Sequence, residues 1–327
     1  MNLKISLLIS FLFQLSLCLL GPTTTLAQPL TPRRATAASY IERGNAWVAR
    51  GELERAIADY DLAVVSDPSF ADAWYNRAIA RYRKGDNDGA LADFDRVIKL
   101  NPRYVEAYVN RSRIRYAGGD LDGVIHDNSR AIDLNPRLAE AWNNRGLARR
   151  DKGDLDGALA DFDQAIKLDS RLAQTYLNRS AVRFLKRDLD GAISDCDKAI
   201  KLKPDFAEAW SIRGAARQFI GDPEGALGDY NRAIAIDPRF ADAWFNRALV
   251  QRDRGELDLA ITGFNRAIEL NPRNADAYAH RGLTRLMQGR DAEARADFDQ
   301  CLRLNGNLKA SLERLISEVE QRRATKK

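Results

Sequence analysis

Residues able to do acid–base or nucleophilic chemistry are few in this sequence and widely separated. The two histidines are His126 and His280, and the cysteines beyond the N-terminal segment are Cys196 and Cys301. The sequence contains no nucleophile–base–acid set, no glycine-rich phosphate loop and no Cys/His ligand cluster. We therefore expect no enzyme, no cofactor and no metal site. Both cysteines are predicted to be small buried side chains with no disulfide between them.

Charged residues recur at a fixed spacing of 34 residues. With Ala37 taken as position 1 of the first repeat, position 7 is arginine in all eight repeats and position 23 is aspartate in seven. The arginines are Arg43, Arg77, Arg111, Arg145, Arg179, Arg213, Arg247 and Arg281. One interpretation is ion pairing between the two columns, and the other is an arginine row that grips an anionic ligand. The seventh repeat has Gly263 at position 23, so Arg247 is predicted to be the least restrained arginine.

The apolar residues obey the same period and indicate which elements position these charges. Position 4 is Tyr or Trp in every repeat, namely Tyr40, Trp74, Tyr108, Trp142, Tyr176, Trp210, Trp244 and Tyr278. Positions 4, 8 and 11 form one helical stripe, and positions 20, 24 and 27 form another. Glycine near position 15 and proline at position 32 are helix-ending residues. Each repeat is thus predicted to be two antiparallel helices, A and B, of about 14 residues each.

The repeat also matches a known motif. The first copy reads Tyr40-x₂-Arg43-Gly44-x₂-Trp47, then Ala56-x₃-Tyr60, then Pro68. This pattern resembles the tetratricopeptide repeat family over residues 37–306. The resemblance implies an all-α fold, a right-handed superhelical solenoid of eight helix-turn-helix repeats with a C-terminal capping helix. The predicted segments are repeats at 37–70, 71–104, 105–138, 139–172, 173–206, 207–240, 241–274 and 275–306, a capping helix at 307–323 and a disordered tail at 324–327.

In this family helix A lines the concave groove, so the resemblance implies a binding site at positions 2, 5, 6, 9, 12 and 13. Position 6 is asparagine in five repeats, and an amide that both donates and accepts can pair with the backbone of an extended peptide. The row is similar to the asparagines in the repeat domain of O-GlcNAc transferase. The predicted peptide-binding residues are Asn76, Asn110, Asn144, Asn178 and Asn246, with Tyr75, Tyr82, Tyr116, Phe184 and Phe245 as apolar anchors. A purely structural hydrogen bond is the alternative role for the asparagines.

Two further columns bear on the groove. Position 2 is acidic in six repeats, at Asp72, Glu106, Glu140, Glu208, Asp242 and Asp276. Chaperone-binding members of the family have lysine there, so their carboxylate clamp is not expected. The acids either favour the helix N-terminus or attract basic partners. In the third repeat Asn128 replaces the position-24 aromatic residue, and we expect local fraying or a bend there.

The first residues have the layout of a secretory signal peptide. Lys4 precedes an apolar run over 5–20, Gly21 and Pro22 break it, and small residues at 25 and 27 suit a cleavage site. We expect residues 1–27 to be this signal and 28–36 to be a linker. The localisation is then periplasmic or secreted by bacterial export, and an N-terminal membrane anchor is the alternative.

Together these patterns predict an exported scaffold that binds peptide or protein partners in its groove. The alternative is a membrane-tethered envelope assembly component of the pilus or secretion type. The 51 basic and 46 acidic residues nearly balance, and no dense basic block carries interleaved aromatics, so no nucleic-acid partner is expected. No stable membrane insertion is expected after signal cleavage. The sequence leaves the identity of the partner and the oligomeric state open.

Overall fold

The structure, a computed structural model, describes residues 31–324, and all regular elements in that range are helices. The α-helices are α1 Pro32–Ala49, α2 Leu53–Ser66, α3 Ala71–Lys84, α4 Asn87–Leu100, α5 Val105–Ala117, α6 Leu121–Leu134, α7 Ala139–Asp151, α8 Leu155–Leu168, α9 Ala173–Leu185, α10 Leu189–Leu202, α11 Ala207–Phe219, α12 Pro223–Ile236, α13 Ala241–Asp253, α14 Leu257–Leu270, α15 Ala275–Met287, α16 Asp291–Leu304 and α17 Lys309–Ala324. Each odd-numbered helix from α1 to α15 is a helix A and packs on the helix B that follows it. The described chain forms two compact units, the N-terminal unit (31–171) and the C-terminal unit (172–324).

The turn between helices A and B depends on one left-handed residue and one cap. Gly85 has a φ of 90°, and its N–H bonds the carbonyls of Arg81 and Tyr82. The next residue, Asp86, caps α4 by accepting from the N–H of Gly89 at 2.9 Å. Glycine takes this left-handed position in seven repeats, and Arg187 takes it in the fifth with a φ of 65°. The fifth repeat has no glycine at this position, but its turn keeps the same backbone conformation.

The connection from helix B to the next helix A is tied by a tryptophan. Trp74, at position 4 of the second repeat, donates its indole N–H to the carbonyl of Pro68 at 3.0 Å. Trp142, Trp210 and Trp244 bond the equivalent proline carbonyls at 3.0–3.1 Å. Because the proline carbonyl ends one repeat and the indole begins the next, the aromatic at position 4 fixes the register between neighbouring repeats.

The core of the N-terminal unit forms where small residues meet large rings. Phe94 and Phe162, at position 24, are fully buried. A methyl group at Gly146, at position 8, would lie 2.7 Å from the Phe162 ring, so the two helices approach as closely as glycine permits. Full burial of each ring contributes roughly 1.5–3 kcal/mol to stability.

The third repeat, also in this unit, has a polar residue at the same place. Asn128 is 0% exposed, and its amide donates to the Val124 carbonyl of its own helix at 2.9 Å. Its Oδ1 atom has no hydrogen-bond partner. The Asn128 amide therefore has a partner for its NH₂ group but none for its oxygen. Helix α6 nevertheless runs unbroken from Leu121 to Leu134.

The C-terminal unit ends with a helix that covers the last hairpin. Leu312 of α17 is 3% exposed and packs in one cluster with Leu286 of α15 and Phe298 of α16. Leu315, Ile316 and Val319 lie against the same cluster. The two cysteines of this unit, Cys196 and Cys301, are free and buried, as predicted.

The ends of the described chain correct one boundary. Helix α1 begins at Pro32, so the linker predicted over 28–36 is wrong for residues 32–36. The Thr31 side chain accepts the N–H of Arg34 at 3.3 Å, and a proline in the first turn lacks only an N–H that would be unpaired there. Ala324 still belongs to α17, so the predicted tail is helical at its first residue. The predicted signal segment 1–27 and residues 325–327 lie outside the described residues.

Within residues 31–324, none of the helices combines the length and the apolar composition that crossing a membrane requires.

Candidate functional site

In each unit the A helices form a continuous surface, which we call the A-helix wall. It consists of α1, α3, α5 and α7 in the N-terminal unit and of α9, α11, α13 and α15 in the C-terminal unit. Helices A of neighbouring repeats contact each other directly, as in α1 with α3, α5 with α7 and α11 with α13. No pair of B helices within residues 31–324 makes a comparable contact. The A helices therefore lie on the more tightly curved side of each stack.

Behind the wall, a buried ion triad joins the two helices of a hairpin. In the second repeat Arg77 donates from Nε and Nη2 to the Asp93 carboxylate at 2.9 and 2.7 Å, and Arg81 donates to it from Nη1 at 2.9 Å. Arg77 also donates from Nη1 to Asp61 of the preceding repeat at 2.6 Å. Asp93 is 2% exposed, so these charge-assisted bonds replace its hydration. The guanidinium lies over the Trp74 ring, 4.7 Å from its centroid.

The triad recurs along the chain. The two-bond fork joins Arg111 to Asp127, Arg145 to Asp161, Arg179 to Asp195, Arg213 to Asp229 and Arg281 to Asp297. In the first repeat Arg43 makes the fork to Asp59 and lowers the pKa of that carboxyl, and Trp47 donates the third bond. Ion pairing between the arginine and aspartate columns is thus confirmed, and these seven arginines are committed to internal carboxylates.

The seventh repeat departs from the triad as its sequence predicts. Arg247 makes a single hydrogen bond, from Nη1 to Asn231 at 2.9 Å, and its Nε atom is buried without a partner. The guanidinium lies 4.4 Å from the centre of the Trp244 ring. Arg247 is therefore the least restrained arginine of its column.

Three of the predicted peptide-binding asparagines lie on the wall of the N-terminal unit. Asn76 donates to the carbonyl of Asp72 in its own helix at 2.7 Å. Asn110 is 6% exposed, donates to the Tyr75 hydroxyl at 2.8 Å and accepts from Arg113. Asn144 keeps its Nδ2 atom without a partner. Since the three amides have different partners, this part of the column is not a uniform row of free donors.

The other two predicted asparagines lie in the C-terminal unit. Asn178 is 1% exposed and accepts from the side chain of Gln174 at 3.1 Å. Asn246 is partly exposed and makes no side-chain hydrogen bond within residues 31–324. Among the five, Asn246 has the amide group most available to a ligand, because the unpartnered Nδ2 atom of Asn144 is buried.

The predicted anchors of the N-terminal unit differ in exposure. Tyr75 is 3% exposed because it stacks on Tyr104, with the ring centroids 4.9 Å apart. Tyr116 is partly exposed and donates its hydroxyl to Asp151 of the next helix A. Tyr82 is also partly exposed. Tyr75 thus serves the packing between repeats, whereas Tyr82 and Tyr116 present ring surface on the wall.

The C-terminal unit has an apolar patch, of which only Phe184 was predicted from the sequence. The predicted anchor Phe184 is 7% exposed and meets the Phe219 ring edge-on, with the centroids 5.4 Å apart. Around it, Leu185, Phe219 and Ile220 are 51%, 38% and 50% exposed. We call Leu185, Phe219 and Ile220, at the ends of α9 and α11, the apolar lip. Position 13, which the family pattern assigns to the groove, was the available signal for Leu185 and Phe219.

The anchor Phe245 belongs to a second cluster of this unit. Its ring lies 5.7 Å from that of Phe264 and 5.6 Å from that of His280. His280 is 6% exposed, and its Nδ1 atom accepts from the guanidinium of Arg252 at 2.7 Å. An acceptor nitrogen facing an arginine belongs to a neutral imidazole, and burial, with Arg252 adding to it, lowers the pKa of His280 to about 3.

The acidic residues at position 2 also differ in their surroundings between the two units. Asp72 accepts from the Tyr104 hydroxyl at 3.0 Å, and Glu140 pairs with Arg113. In the C-terminal unit burial raises the pKa of both Asp242 and Asp276, because these carboxyls are partly desolvated. The carboxylate is thus stabilised by a neutral hydrogen bond at Asp72 and by an ion pair at Glu140, and its negative charge is electrostatically costly at Asp242 and Asp276.

Repeated helical hairpins with a fixed residue code and an exposed wall of first helices define a helical-repeat protein. The chain belongs to the tetratricopeptide repeat family. A family model described as TPR repeat matches residues 44–85 and 249–289, and two described as tetratricopeptide repeat match 71–104, 139–172 and 229–262. No curated protein matches the chain significantly.

Three solved structures are similar to parts of the chain. The crystal structure of MamA is 31% identical to the chain, covers 51% of it and is itself 96% covered, with a TM-score of 0.45. A tetratricopeptide repeat protein from Parabacteroides merdae is 17% identical, covers 76% of the chain and is 99% covered, with a TM-score of 0.61. PilF from Pseudomonas aeruginosa is 17% identical, covers 69% of the chain and is 100% covered, with a TM-score of 0.58. The last two show likeness of fold.

Proposed function

We propose that this chain is an interaction scaffold that binds an extended segment of a protein partner on its A-helix wall. The observation that carries the proposal is the contrast between the two sides of the hairpins. Behind the wall, the arginine and aspartate columns satisfy each other in seven repeats, so those arginines are not available to a ligand. On the wall, the apolar lip is exposed, and the partly exposed amide of Asn246 makes no side-chain hydrogen bond within residues 31–324.

The apolar lip supplies the type of contact that dominates peptide affinity. Leu185, Phe219 and Ile220 are large and between 38% and 51% exposed, and Phe219 contacts Phe184, the neighbour of Leu185 in the sequence. A patch of this kind on a folded protein marks a surface that another molecule covers. Arg187 places its guanidinium 4.8 Å from the centre of the Phe219 ring, which gives the lip a polar rim.

The Asn246 amide would add contacts that do not depend on the partner's sequence. An asparagine side chain can donate to a peptide carbonyl and accept from a peptide N–H at once. Each such bond is worth about 1 kcal/mol, or roughly a fivefold change in affinity. The lip would therefore set which segments bind, and Asn246 would contribute affinity for any extended backbone.

The proposal is tested with peptides selected for binding to the full chain. A photoreactive residue at Ile220 should crosslink to the bound peptide, and one at Leu259 should not. Leu259 is the matched control because it is 54% exposed in the same unit but lies on helix B. Leu185→Asp should weaken binding by at least about 30-fold, as expected for a hot-spot residue, and Leu259→Asp should leave it unchanged. Equal crosslinking at both positions would place the ligand elsewhere.

The proposal extends to the location of the scaffold. The signal-like residues 1–27 support export, with the binding unit outside the cytoplasm. An intact mass that corresponds to a mature chain beginning near Gln28 would agree with export and cleavage. A mature chain that retains residues 1–27 would favour the tethered assembly component instead.

A further inference from the structure

An intact ion triad shows which hydrogen-bond partners a position-7 arginine has. In the sixth repeat the Asp229 carboxylate accepts from Arg213 Nε at 2.9 Å, from Arg213 Nη2 at 2.6 Å and from Arg217 Nη1 at 2.9 Å. Asp229 is 2% exposed, so its two oxygens lie in an interior that only these donors make tolerable for a negative charge. The guanidinium and the carboxylate each depend on the other.

The seventh repeat keeps the guanidinium and lacks the carboxylate. Gly263 stands where the other repeats have aspartate, and Gln251 replaces the second arginine. Arg247 is still positioned as in the other repeats, by the Trp244 ring at 4.4 Å and by Asn231 at 2.9 Å. Its Nε atom is buried without a partner, and so is the Oε1 atom of Gln251.

The electrostatics of this place differ from those of intact triads. Burial lowers the pKa of Arg247, whereas the pKa of Arg213, which is also opposed by burial, is raised by Asp229 and Asp197. An arginine side chain does not lose its proton in a protein, so the partly buried positive charge of Arg247 persists without a carboxylate partner. A negative group bound between α13 and α14 would supply the counter-charge that aspartate provides in the other repeats.

We propose that the seventh repeat holds a binding site for a small carboxylate anion between Arg247, Gln251 and Gly263. The anion takes the place of the aspartate side chain, with its oxygens on Nε and Nη2 of Arg247. The Gln251 amide, turned to present its NH₂ group, donates the third bond that an arginine gives elsewhere. The amide can turn because its oxygen has no partner to lose.

The geometry also limits the size of the anion. A Cβ atom built on Gly263 would lie 2.9 Å from the Cβ of Ala248 and 3.4 Å from the carbonyl oxygen of Trp244. A substituent on the carboxyl carbon would occupy the place of this Cβ atom and would therefore have to displace the Ala248 methyl group. The expected order of affinity is formate first, then acetate, then propionate.

The test uses ¹³C-labelled formate and the full chain, with the ionic strength held constant by sodium chloride. Formate should show line broadening with the wild type and none with Arg247→Met, which keeps the apolar stem but has no donors. Gly263→Asp should also abolish the broadening, since it supplies the carboxylate from the chain itself. Arg145→Met, in an intact triad, is the control and should leave the broadening unchanged.

Two results would overturn the inference. Equal broadening with the wild type and with Arg247→Met would show that formate binds elsewhere. Tighter binding of N-acetylglycine than of formate, measured by competition against the formate signal, would contradict the size limit and indicate a site for a peptide carboxylate. If Gly263→Asp fails to fold, Arg247→Met alone decides. The site is separate from the A-helix wall, so neither result bears on the peptide scaffold.

Discussion

The pair of substitutions Arg145→Met and Arg247→Met measures what the buried triad contributes to stability. Arg145 makes two bonds to Asp161, at 2.9 and 2.7 Å, and one to Ser129 at 3.1 Å. Without it, Asp161 is a carboxylate only 1% exposed that keeps a single bond, from Arg149 at 2.8 Å. Breaking a buried ion pair on one side costs about 3–5 kcal/mol, and the remaining bond places this case near 3 kcal/mol.

The Arg247→Met substitution lowers the free energy of unfolding by much less. The lost contacts are one bond to the neutral Asn231 side chain, worth about 1 kcal/mol, and the stacking on Trp244. The stacking term cancels in the comparison, because Arg145 lies over the Trp142 ring at 4.8 Å and Arg247 over Trp244 at 4.4 Å. The expected difference between the two variants is therefore about 2 kcal/mol.

The assay is native-state hydrogen exchange followed by mass spectrometry, because a chain of repeats need not unfold in one step. A loss of about 3 kcal/mol accelerates exchange in α7 and α8 by roughly 100-fold, and a loss of about 1 kcal/mol accelerates exchange in α13 and α14 by roughly fivefold. The buffer should contain no carboxylate anion. Equal acceleration in both variants would refute the reasoning, since it would mean that the internal aspartate adds nothing to the arginine's contribution.

Three further outcomes are expected. The pKa of His280 falls from 6.5 to about 3 on folding, so its contribution is complete above pH 6.5 and is lost below it, by roughly 2 kcal/mol at pH 5. His280→Asn should remove that part of the pH dependence of urea unfolding, whereas His126→Asn, on an exposed side chain, should leave it intact. Asn128→Phe should stabilise the chain by about 1–2 kcal/mol, because a ring replaces a buried amide with an unpaired oxygen, and slower exchange in α6 would verify this. Burial raises the pKa of Cys196 to about 12 and of Cys301 to about 11, so a thiol reagent at pH 8 should label both only in urea; rapid labelling of the folded chain would disprove their burial.

The contacts inside one repeat were predictable from the sequence. Arg77 and Asp93 are separated by the same interval in every intact copy, and a helical hairpin places those positions face to face. The absence of Asp in the seventh repeat was visible in the same way, and it correctly identified Arg247 as the unusual arginine. The 34-residue period was sufficient to predict these contacts, because the hairpin geometry is common to all copies.

Contacts between repeats were not predictable to the same degree. The bond from Asn110 to the Tyr75 hydroxyl depends on how far one helix A is shifted along the next, which the spacing of residues does not fix. The exposure of Ile220 depends on the same shift. The start of α1 at Pro32 was missed because two prolines favoured a linker, although proline is equally suited to the first turn of a helix.

The reach of each position-7 arginine back to the preceding repeat bears on how such a chain can change its length. Arg213 bonds Asp197 before it as well as Asp229 after it, and in other repeats the backward bond goes to Asp61, Asp95, Ser129, Asn231 or Asn265. Excision or duplication of one whole period inside a unit rejoins matching partners, whereas a cut of any other size leaves charges facing the wrong neighbours. A chain of this kind is therefore expected to tolerate the loss or gain of a whole repeat better than the loss or gain of a few residues.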